Sequence, residues 1–365
     1  MNSSLVRAFR HLGQVFKLGA IALVLGLSAC GTPAPAPPAL AKEISFYDWE
    51  DDMPQSVLDA FTKEYGVKVR YETYTSSEEG MENLRAGKVY DVVVMESRIV
   101  PLLTQEKLLA QIDYRNVPNF KNISLNFRDL IYDPGNKHAI PYNWGTTGLI
   151  VRSDLVTEPV TSWNDLWNPR YTGKVGLWQA QSREVIGIAL KSLGYSVNSE
   201  NPAELEQALA RLLALKPGVV FYDDYNPVSA APVFSSGKAV LGMGYALDVL
   251  ETRKEKSTTA YILPQEGALL WGDNFIIPVK SANKLTAETL INFLLRPEVN
   301  AQIANENSYA TPNEAALPFI QPEILNDPVI FPPQSKIQNA EIILPLSPAG
   351  QKMYDDLWQK FLAGK

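Results

Sequence analysis

Residues 43–71, EISFYDWEDDMPQSVLDAFTKEYGVKVRY, decide the predicted fold because they carry a strand, a helix and a second strand in succession. The first five residues alternate in polarity, as a strand does. Pro54 suits the first turn of a helix, and apolar residues follow at helical spacing until Gly66 ends it. Further along, Tyr90–Met95 is typical of a buried parallel strand. This order predicts an α/β protein with a parallel sheet and right-handed crossovers.

The rest of the chain continues the alternation of strands and helices. Ser182 is predicted to cap a helix that ends at Gly194, and Asn201-Pro202 is typical of another helix start. A length of 365 residues, 46% of them hydrophobic, suits about two globular domains. Further elements are predicted at 149–151, 175–177, 240–243, 260–263, 286–295 and 349–362.

The scarcity of two residue types excludes several classes of site. The chain has one Cys and two His, so disulfides, cysteine-based zinc sites and iron–sulfur clusters are not available within it. His138 lies in a turn-like segment and is expected to be solvated. A net charge of −7 disfavours nucleic acid as a partner and favours a cationic one. No motif for a metal or cofactor is present, so neither is expected.

The N-terminus predicts export and a lipid anchor. Three basic residues precede an apolar run from Gly19 to Ala29, which is too short for a membrane span of about 20 residues and suits a signal peptide. The run ends in LSACG, which resembles a bacterial lipobox with Cys30 as the lipidated residue. We therefore expect a signal peptide of lipoprotein type over 1–29 and a Pro/Ala-rich tether over 30–42. The alternative is an ordinary signal peptide with an incidental cysteine.

Aromatic and acidic residues occur together where strands and loops end. In a parallel sheet, ligands bind beyond the carboxyl ends of the strands. An amine needs carboxylates for its ammonium groups and aromatic faces for its methylenes and charges. A purely structural role for these residues is the alternative. An acid in a helix's first turn is also stabilised by the helix dipole, and a chain with 16 Tyr and 7 Trp has some rings beside acids by chance. The candidates are Trp49 with Asp51, Trp271 with Asp273, Tyr222 with Asp223, Tyr245 with Asp248, and Glu184.

Several segments resemble, in order and spacing, the spermidine/putrescine-binding proteins of bacterial ABC importers. The resemblance covers about residues 43–365. The segments are FYDW (46–49), FTKE (61–64), IPYNWG (140–145), TSWNDLW (161–167), REV (183–185), SLGYS (192–196), NFLLRPE (292–298) and TPN (311–313).

The resemblance implies a two-lobe periplasmic-binding-protein fold, type II-like, with a ligand cleft between lobes and a hinge that the chain crosses more than once. Lobe 1 is expected at 43–148 plus 273–316, and lobe 2 at 149–272 plus 317–365. The implied function is capture of a polyamine for an ABC transporter permease that is not in this chain. No catalytic residue and no enzymatic activity are implied. We expect a periplasmic monomer, held to a membrane by the lipid anchor.

The resemblance also implies a ligand site, with three departures from the family. Asp52 stands where the family has a tyrosine, Gln181 where it has an acid, and Arg98 where it has a tyrosine near Glu96. Asp52 adds an acid to the family's site and Gln181 removes one. An arginine near the cleft disfavours a cationic ligand. The predicted ligand-binding residues are Trp49, Asp51, Asp52, Glu96, Arg98, Gln181, Glu184, Asp223, Tyr245, Trp271, Asp273 and Tyr309.

Arg98 leaves the ligand class open. It either pairs with Glu96 or Asp91 outside the pocket, or faces the cleft and binds the carboxylate of an amino-acid-like ligand. A polyamine is the leading hypothesis, and which polyamine is open. A basic amino-acid-like ligand or a sugar on the same fold are alternatives. An exported glycoside hydrolase also needs two carboxylates among aromatic residues, although no local signature for one is present.

Overall fold

The computed structural model describes residues 39–50, 52–222 and 229–364. The predicted signal peptide, the anchor Cys30, most of the tether, and the site candidates Asp51 and Asp223 lie outside the described residues. The chain from Leu40 to Lys365 forms one compact unit.

Strands and helices alternate along this unit as predicted. The strands are β1 (Glu43–Trp49), β2 (Lys68–Tyr74), β3 (Val92–Glu96), β4 (Ala139–Arg152), β5 (Val175–Trp178), β6 (Val219–Tyr222), β7 (Leu241–Tyr245), β8 (Thr259–Ile262), β9 (Leu269–Ile276) and β10 (Glu341–Ile342). The helices are α1 (Gln55–Tyr65), α2 (Ser77–Arg85), α3 (Val100–Gln105), α4 (Ser182–Ser192), α5 (Pro202–Leu215), α6 (Ala230–Ser235), α7 (Ala246–Glu255), α8 (Lys284–Leu294), α9 (Pro297–Asn307), α10 (Pro322–Leu325), α11 (Gln334–Ile337) and α12 (Pro348–Ala363).

Two groups of parallel strands are joined through β4 and β9. The sheet order is β2-β1-β3-β9-β4-β7-β5-β6, with β10 beside β9 and β8 beside β4. β1 is parallel to β2 and β3, and β5 is parallel to β6 and β7. The long β4 is antiparallel to β9 through its first part and to β7 through its last part. The α/β class and the two-lobe fold with a repeatedly crossed hinge are therefore confirmed.

Each group of strands has its own hydrophobic core. One cluster of buried side chains packs around β5, β7, α4, α5 and α12. A second packs between the β1–β3 sheet and helices α1 and α8, and a third covers the other face of that sheet. Helix α1 illustrates how the sequence sets a buried face and a helix end. Val57, Leu58 and Phe61 are buried at helical spacing, and Gly66 ends the helix at φ 68°, a conformation that suits glycine.

Two local expectations differ from the structure. The helix predicted with Ser182 as its cap begins at Ser182, and Gln181 occupies the N-cap position without a side-chain capping bond. His138 is half-buried rather than solvated, because the start of β4 brings its Nδ1 to 3.2 Å from the carbonyl oxygen of Ala110. Within the described ranges, helices that are both long and apolar enough to cross a bilayer are absent.

Candidate ligand-binding cleft

Two strand ends and the middle of a third strand bring acids and an indole to one edge of the sheet. β1 ends at Trp49 and β3 ends at Glu96. β9 runs antiparallel to β3 with Asp273 directly opposite Glu96, so the two side chains lie on the same face. The indole Nε1 of Trp49 donates to Asp273 Oδ1 at 3.3 Å. The predicted residues of the first and third strands therefore meet Asp273, as the rule for parallel sheets implies.

Three carboxyl groups are buried together at this edge. Asp48, Asp52 and Asp273 are between 0% and 7% exposed. Burial raises the pKa of Asp52 to about 7, and it raises the pKa of Asp48 and Asp273 well above their ordinary range, with repulsion from neighbouring acids as the next cause. Asp48 Oδ2 and Asp52 Oδ2 have no hydrogen-bond partner. In the part of the chain that the structure describes, no Lys or Arg forms an ion pair with these three acids.

A fourth buried carboxylate comes from the other group of strands. Glu184, in the first turn of α4, is 4% exposed. Its Oε1 accepts from the Tyr245 hydroxyl at 2.8 Å, and its Oε2 accepts from the Thr147 hydroxyl. Burial raises its pKa to about 7, although these two hydrogen bonds lower it. The half-buried Gln181 lies one helical turn before it, at the start of the same helix.

Aromatic rings line the space between these acids. The ring of Trp271 makes edge contacts with Tyr245 and Tyr309, at centroid distances of 5.5 and 5.8 Å. The Trp271 Nε1 is buried and has no hydrogen-bond partner. Gly145 lies opposite Trp271 in the β4–β9 register, and a Cβ there would come within 2.3 Å of the indole. The glycine therefore lets the indole lie across the neighbouring strand.

Arg98 is held by two carboxylates. Its Nε lies 2.8 Å from Glu96 Oε2, and its Nη2 lies 2.9 Å from Glu78 Oε1. The Ser77 hydroxyl also donates to Glu96, at 2.7 Å. The expected alternative partner, Asp91, instead accepts from the side chains of Ser45 and Ser281. Arg98 therefore pairs with Glu96 as expected, and its second partner is Glu78 rather than Asp91.

Two residues of this site were not predicted from the sequence. Asp48 lies two residues after Phe46, on the same side of β1. An acid on a buried side of a strand is unusual, and this is the sequence signal that could have identified Asp48 as a site residue. Asn143 lies opposite Asp273 in β4, where the register shifts between Pro141 and Asn143. Its amide nitrogen and oxygen are both buried without partners. An irregularity of this kind re-aims a side chain and leaves no clear trace in sequence periodicity.

The arrangement suits an organic cation. Buried carboxyl groups that lack a cation are stabilised when a ligand ammonium enters, and aromatic faces attract both the charge and the methylenes. Over the described residues, no group of three or more His, Cys, Asp or Glu side chains has the geometry to hold a metal ion.

Comparisons with known proteins identify relatives along nearly the whole chain. The family described as bacterial extracellular solute-binding protein matches residues 56–332. The spermidine/putrescine-binding periplasmic protein of Escherichia coli is 36% identical, over 98% of this chain and 99% of that protein. The spermidine/putrescine substrate-binding protein of a Streptococcus pneumoniae ABC transporter has a similar structure, with a TM-score of 0.80, 30% identity, and coverage of 89% and 99% of the two chains. The TpPotD lipoprotein of Treponema pallidum is similar with a TM-score of 0.78, 26% identity, and coverage of 87% and 99%.

Proposed function

The chain belongs to the bacterial extracellular solute-binding proteins, and from that premise we propose that it captures a polyamine for an ABC importer. The Escherichia coli and Streptococcus pneumoniae relatives are described as spermidine/putrescine-binding or as part of a spermidine/putrescine transporter, and they cover 98% and 89% of this chain. Proteins of this family bind solutes rather than transform them, so the glycoside hydrolase alternative is excluded.

One observation carries the proposal: three buried acids face each other without a cation. Keeping Asp48, Asp52 and Asp273 ionised and unpaired at low exposure is costly, as their raised pKa values reflect. A ligand ammonium would lower this cost and gain charge-assisted hydrogen bonds. Glu184 supplies a carboxylate at the other side of Trp271, so a linear diamine has an acid for each end.

Binding would act through closure of the cleft. We propose lobe 1 at 43–148 plus 273–316 and lobe 2 at 149–272 plus 317–365. The two large hydrophobic cores support this division, although Ile320 packs in a small cluster with α9 of the first lobe. Trp271 would then reach the first lobe through its edge contact with Tyr309. A ligand that contacts residues of both lobes favours the closed state, and water exclusion strengthens its ion pairs.

The alternative ligands are less well supported. A basic amino acid needs a cation for its carboxylate, and Arg98 is already held by Glu78 and Glu96. A sugar could stack on Trp271, but it would leave the buried carboxyl groups without a cation.

Titration calorimetry with putrescine, spermidine, spermine, arginine, lysine and a maltooligosaccharide tests the proposal. We expect heat of binding with at least one of the three polyamines and much weaker binding of the amino acids and the sugar. Preferential binding of an amino acid or of the maltooligosaccharide would overturn the polyamine proposal.

We further propose that the protein is a periplasmic monomer with a lipid anchor at Cys30, which would keep it beside its permease. The support is the LSACG segment and the Pro/Ala-rich tether after it. Cys30→Ala removes the residue that would carry the lipid, so the protein is expected to leave the membrane fraction. The variant should still fold, because the cleft residues lie far along the chain. Recovery of the variant wholly with membranes would contradict the anchor.

A further inference from the structure

The edge of the sheet opposite the cleft is where the chain enters the compact unit. β1 and β3 are parallel and end at the cleft, so the segments before them lie at the opposite edge, where the antiparallel β9 ends. The backbone nitrogen of Ala41, just before β1, donates to Thr286 Oγ1 in the first turn of α8, at 2.9 Å. β1 has 7 residues, so about 20 Å of strand separates this edge from the cleft.

Three exposed lysines come together at this edge. A short antiparallel pairing of the segment after α3 with the segment after β9 brings Lys107 opposite Lys280. The Nζ of Lys280 lies over Gly87, 2.6 Å from where a Cβ would stand, and Lys88 is the next residue in the chain. All three lysine side chains are exposed.

The acids near these lysines already have partners of their own. The ion pairs are Glu43 with Lys68, Glu106 with Arg85, and Glu288 with Lys284. The buried Asp91 accepts from the hydroxyls of Ser45 and Ser281. In the part of the chain that the structure describes, Lys88, Lys107 and Lys280 form no ion pair. The edge therefore presents uncompensated positive charge on a chain whose net charge is −7.

Two exposed apolar side chains lie among these lysines. Val89 follows Lys88 and is 54% exposed, and Val279 precedes Lys280 and is 55% exposed. Lysines with apolar side chains between them match a bilayer surface, where the ammonium groups approach lipid phosphates and the apolar groups enter the headgroup boundary. Lys88, Val89, Lys107, Val279 and Lys280 together form the basic edge.

We propose that the basic edge binds the anionic phospholipids of the membrane that holds the anchor. The inference rests on the proposed lipid at Cys30 and goes beyond the proposed ligand. Leu40, where the compact unit begins, lies ten positions after Cys30, and ten residues span at most about 36 Å when fully extended. A lipid at Cys30 therefore keeps the entry edge near the bilayer, which raises the local concentration of headgroups around the lysines. The cleft, at the other end of β1 and β3, then faces away from the lipid and stays open to solvent.

Lysine acetylation, measured by mass spectrometry, tests the basic edge on the lipidated chain in vesicles. One vesicle preparation contains phosphatidylcholine alone, and in the other about one lipid in three is phosphatidylglycerol. We expect Lys88, Lys107 and Lys280 to react about fivefold more slowly in the phosphatidylglycerol vesicles, and about 0.5 M NaCl should remove this protection. Lys238 and Lys336 are the internal controls, because both are exposed and belong to the proposed second lobe. Their rates should change by less than about twofold.

A pair of double variants separates the basic edge from positive charge in general. Lys107→Gln with Lys280→Gln should abolish the protection of Lys88, whereas Lys238→Gln with Lys336→Gln should retain it. Both double variants remove two exposed lysines, and neither changes a cleft residue, so polyamine affinity should be that of the wild type in each.

Equal acetylation of the three edge lysines in the two kinds of vesicle would overturn the proposal. Protection that appears only after the permease is added to phosphatidylcholine vesicles would assign the edge to a protein partner and also overturn it. A chain recovered without lipid would contradict the anchor. Sedimentation of that chain with phosphatidylglycerol vesicles alone would still support the basic edge, and failure to sediment would overturn it. Polyamine calorimetry on the same samples tests the proposed ligand separately.

Discussion

Asp273 lowers the stability of the empty folded protein and, in the proposed function, strengthens ligand binding. It is 7% exposed, and it accepts a hydrogen bond from the indole of Trp49. Burial and the neighbouring acids, Asp52 first, raise its pKa well above the ordinary range, so its ionised form disfavours the empty folded state. A ligand ammonium reverses this relation, because the ion pair forms in a site shielded from water.

The first prediction concerns Asp273→Asn. The amide keeps the shape and removes the charge, which leaves a buried ligand ammonium unpaired at a cost of about 3–5 kcal/mol. Polyamine affinity should therefore fall by roughly two to three orders of magnitude. The thermal midpoint of the empty protein should stay the same or rise. Calorimetry and thermal unfolding measure the two effects.

Asp91→Asn is the matched control. Asp91 is also buried, but its oxygens accept hydrogen bonds from Ser45 and Ser281. This substitution should lower stability and leave polyamine affinity unchanged. Wild-type affinity for both putrescine and spermidine in Asp273→Asn would show that the site does not bind through this carboxylate.

At the scale of elements, the pairing of β4 with β9 sets the aromatic wall. The register places Gly145 opposite Trp271 and Asn143 opposite Asp273, so one strand pair orients an indole and a carboxylate together. Helix α4 adds Glu184 from the other group of strands, where Tyr245 at the end of β7 holds it. Strands and helix starts provide a more rigid support for these side chains than loops would.

The second prediction is that Gly145→Ala displaces Trp271. The added Cβ would lie 2.3 Å from Trp271 Cζ2, so the ring must move. Polyamine affinity should fall by roughly 1–3 kcal/mol, comparable to the effect of Trp271→Ala, because stacking area and cation–π attraction are lost. Calorimetry measures the affinity, and tryptophan fluorescence reports the changed environment of the ring.

Gly187→Ala serves as the control for this substitution. Gly187 lies inside α4, and its added Cβ would first meet Leu269 Cδ2 at 3.3 Å, a contact that a small adjustment relieves. It should leave affinity unchanged. An unchanged affinity in Gly145→Ala would mean that Trp271 does not form part of the ligand site.

For the whole molecule, the buried acids couple stability and binding to pH. The pKa of Asp52 and of Glu184 is about 7 in the folded chain, above ordinary values of 3.8 and 4.5. Between those ordinary values and pH 7, the folded chain therefore binds more protons than the unfolded chain. Stability must fall as pH rises through this window. A polyamine favours the ionised acids, so ligand binding has the opposite dependence.

The third prediction follows from this linkage. The thermal midpoint of the empty protein should fall by about 5 °C or more between pH 5 and pH 7.5. The rise in midpoint on adding spermidine should increase over the same range, and binding near pH 6 should release protons from the protein. Thermal unfolding at a series of pH values, with and without spermidine, measures both. A midpoint that rises with pH in the empty protein would contradict the buried, protonated state of these acids.

Much of the fold follows from local sequence. The strand at Glu43–Trp49, the helix that Gly66 ends and the buried strand β3 form where alternation, helical spacing and a terminal glycine predict them. These signals are local because backbone conformation and the polarity of one face depend on a few neighbouring residues. The occurrence of Trp49 and Glu96 at strand ends could therefore be predicted, as could their position at the binding edge of the sheet.

The partners of the site residues depend on tertiary structure. Arg98 pairs with Glu78 as well as Glu96, and Asp48 belongs to the acidic group although its sequence neighbours suggest only a strand. Composition and periodicity predicted an α/β protein with acids and aromatic residues at its strand ends. Which acids share a pocket, and which already have a cation, was decided by strand register and long-range packing, because electrostatic interactions depend on distance in space rather than along the chain.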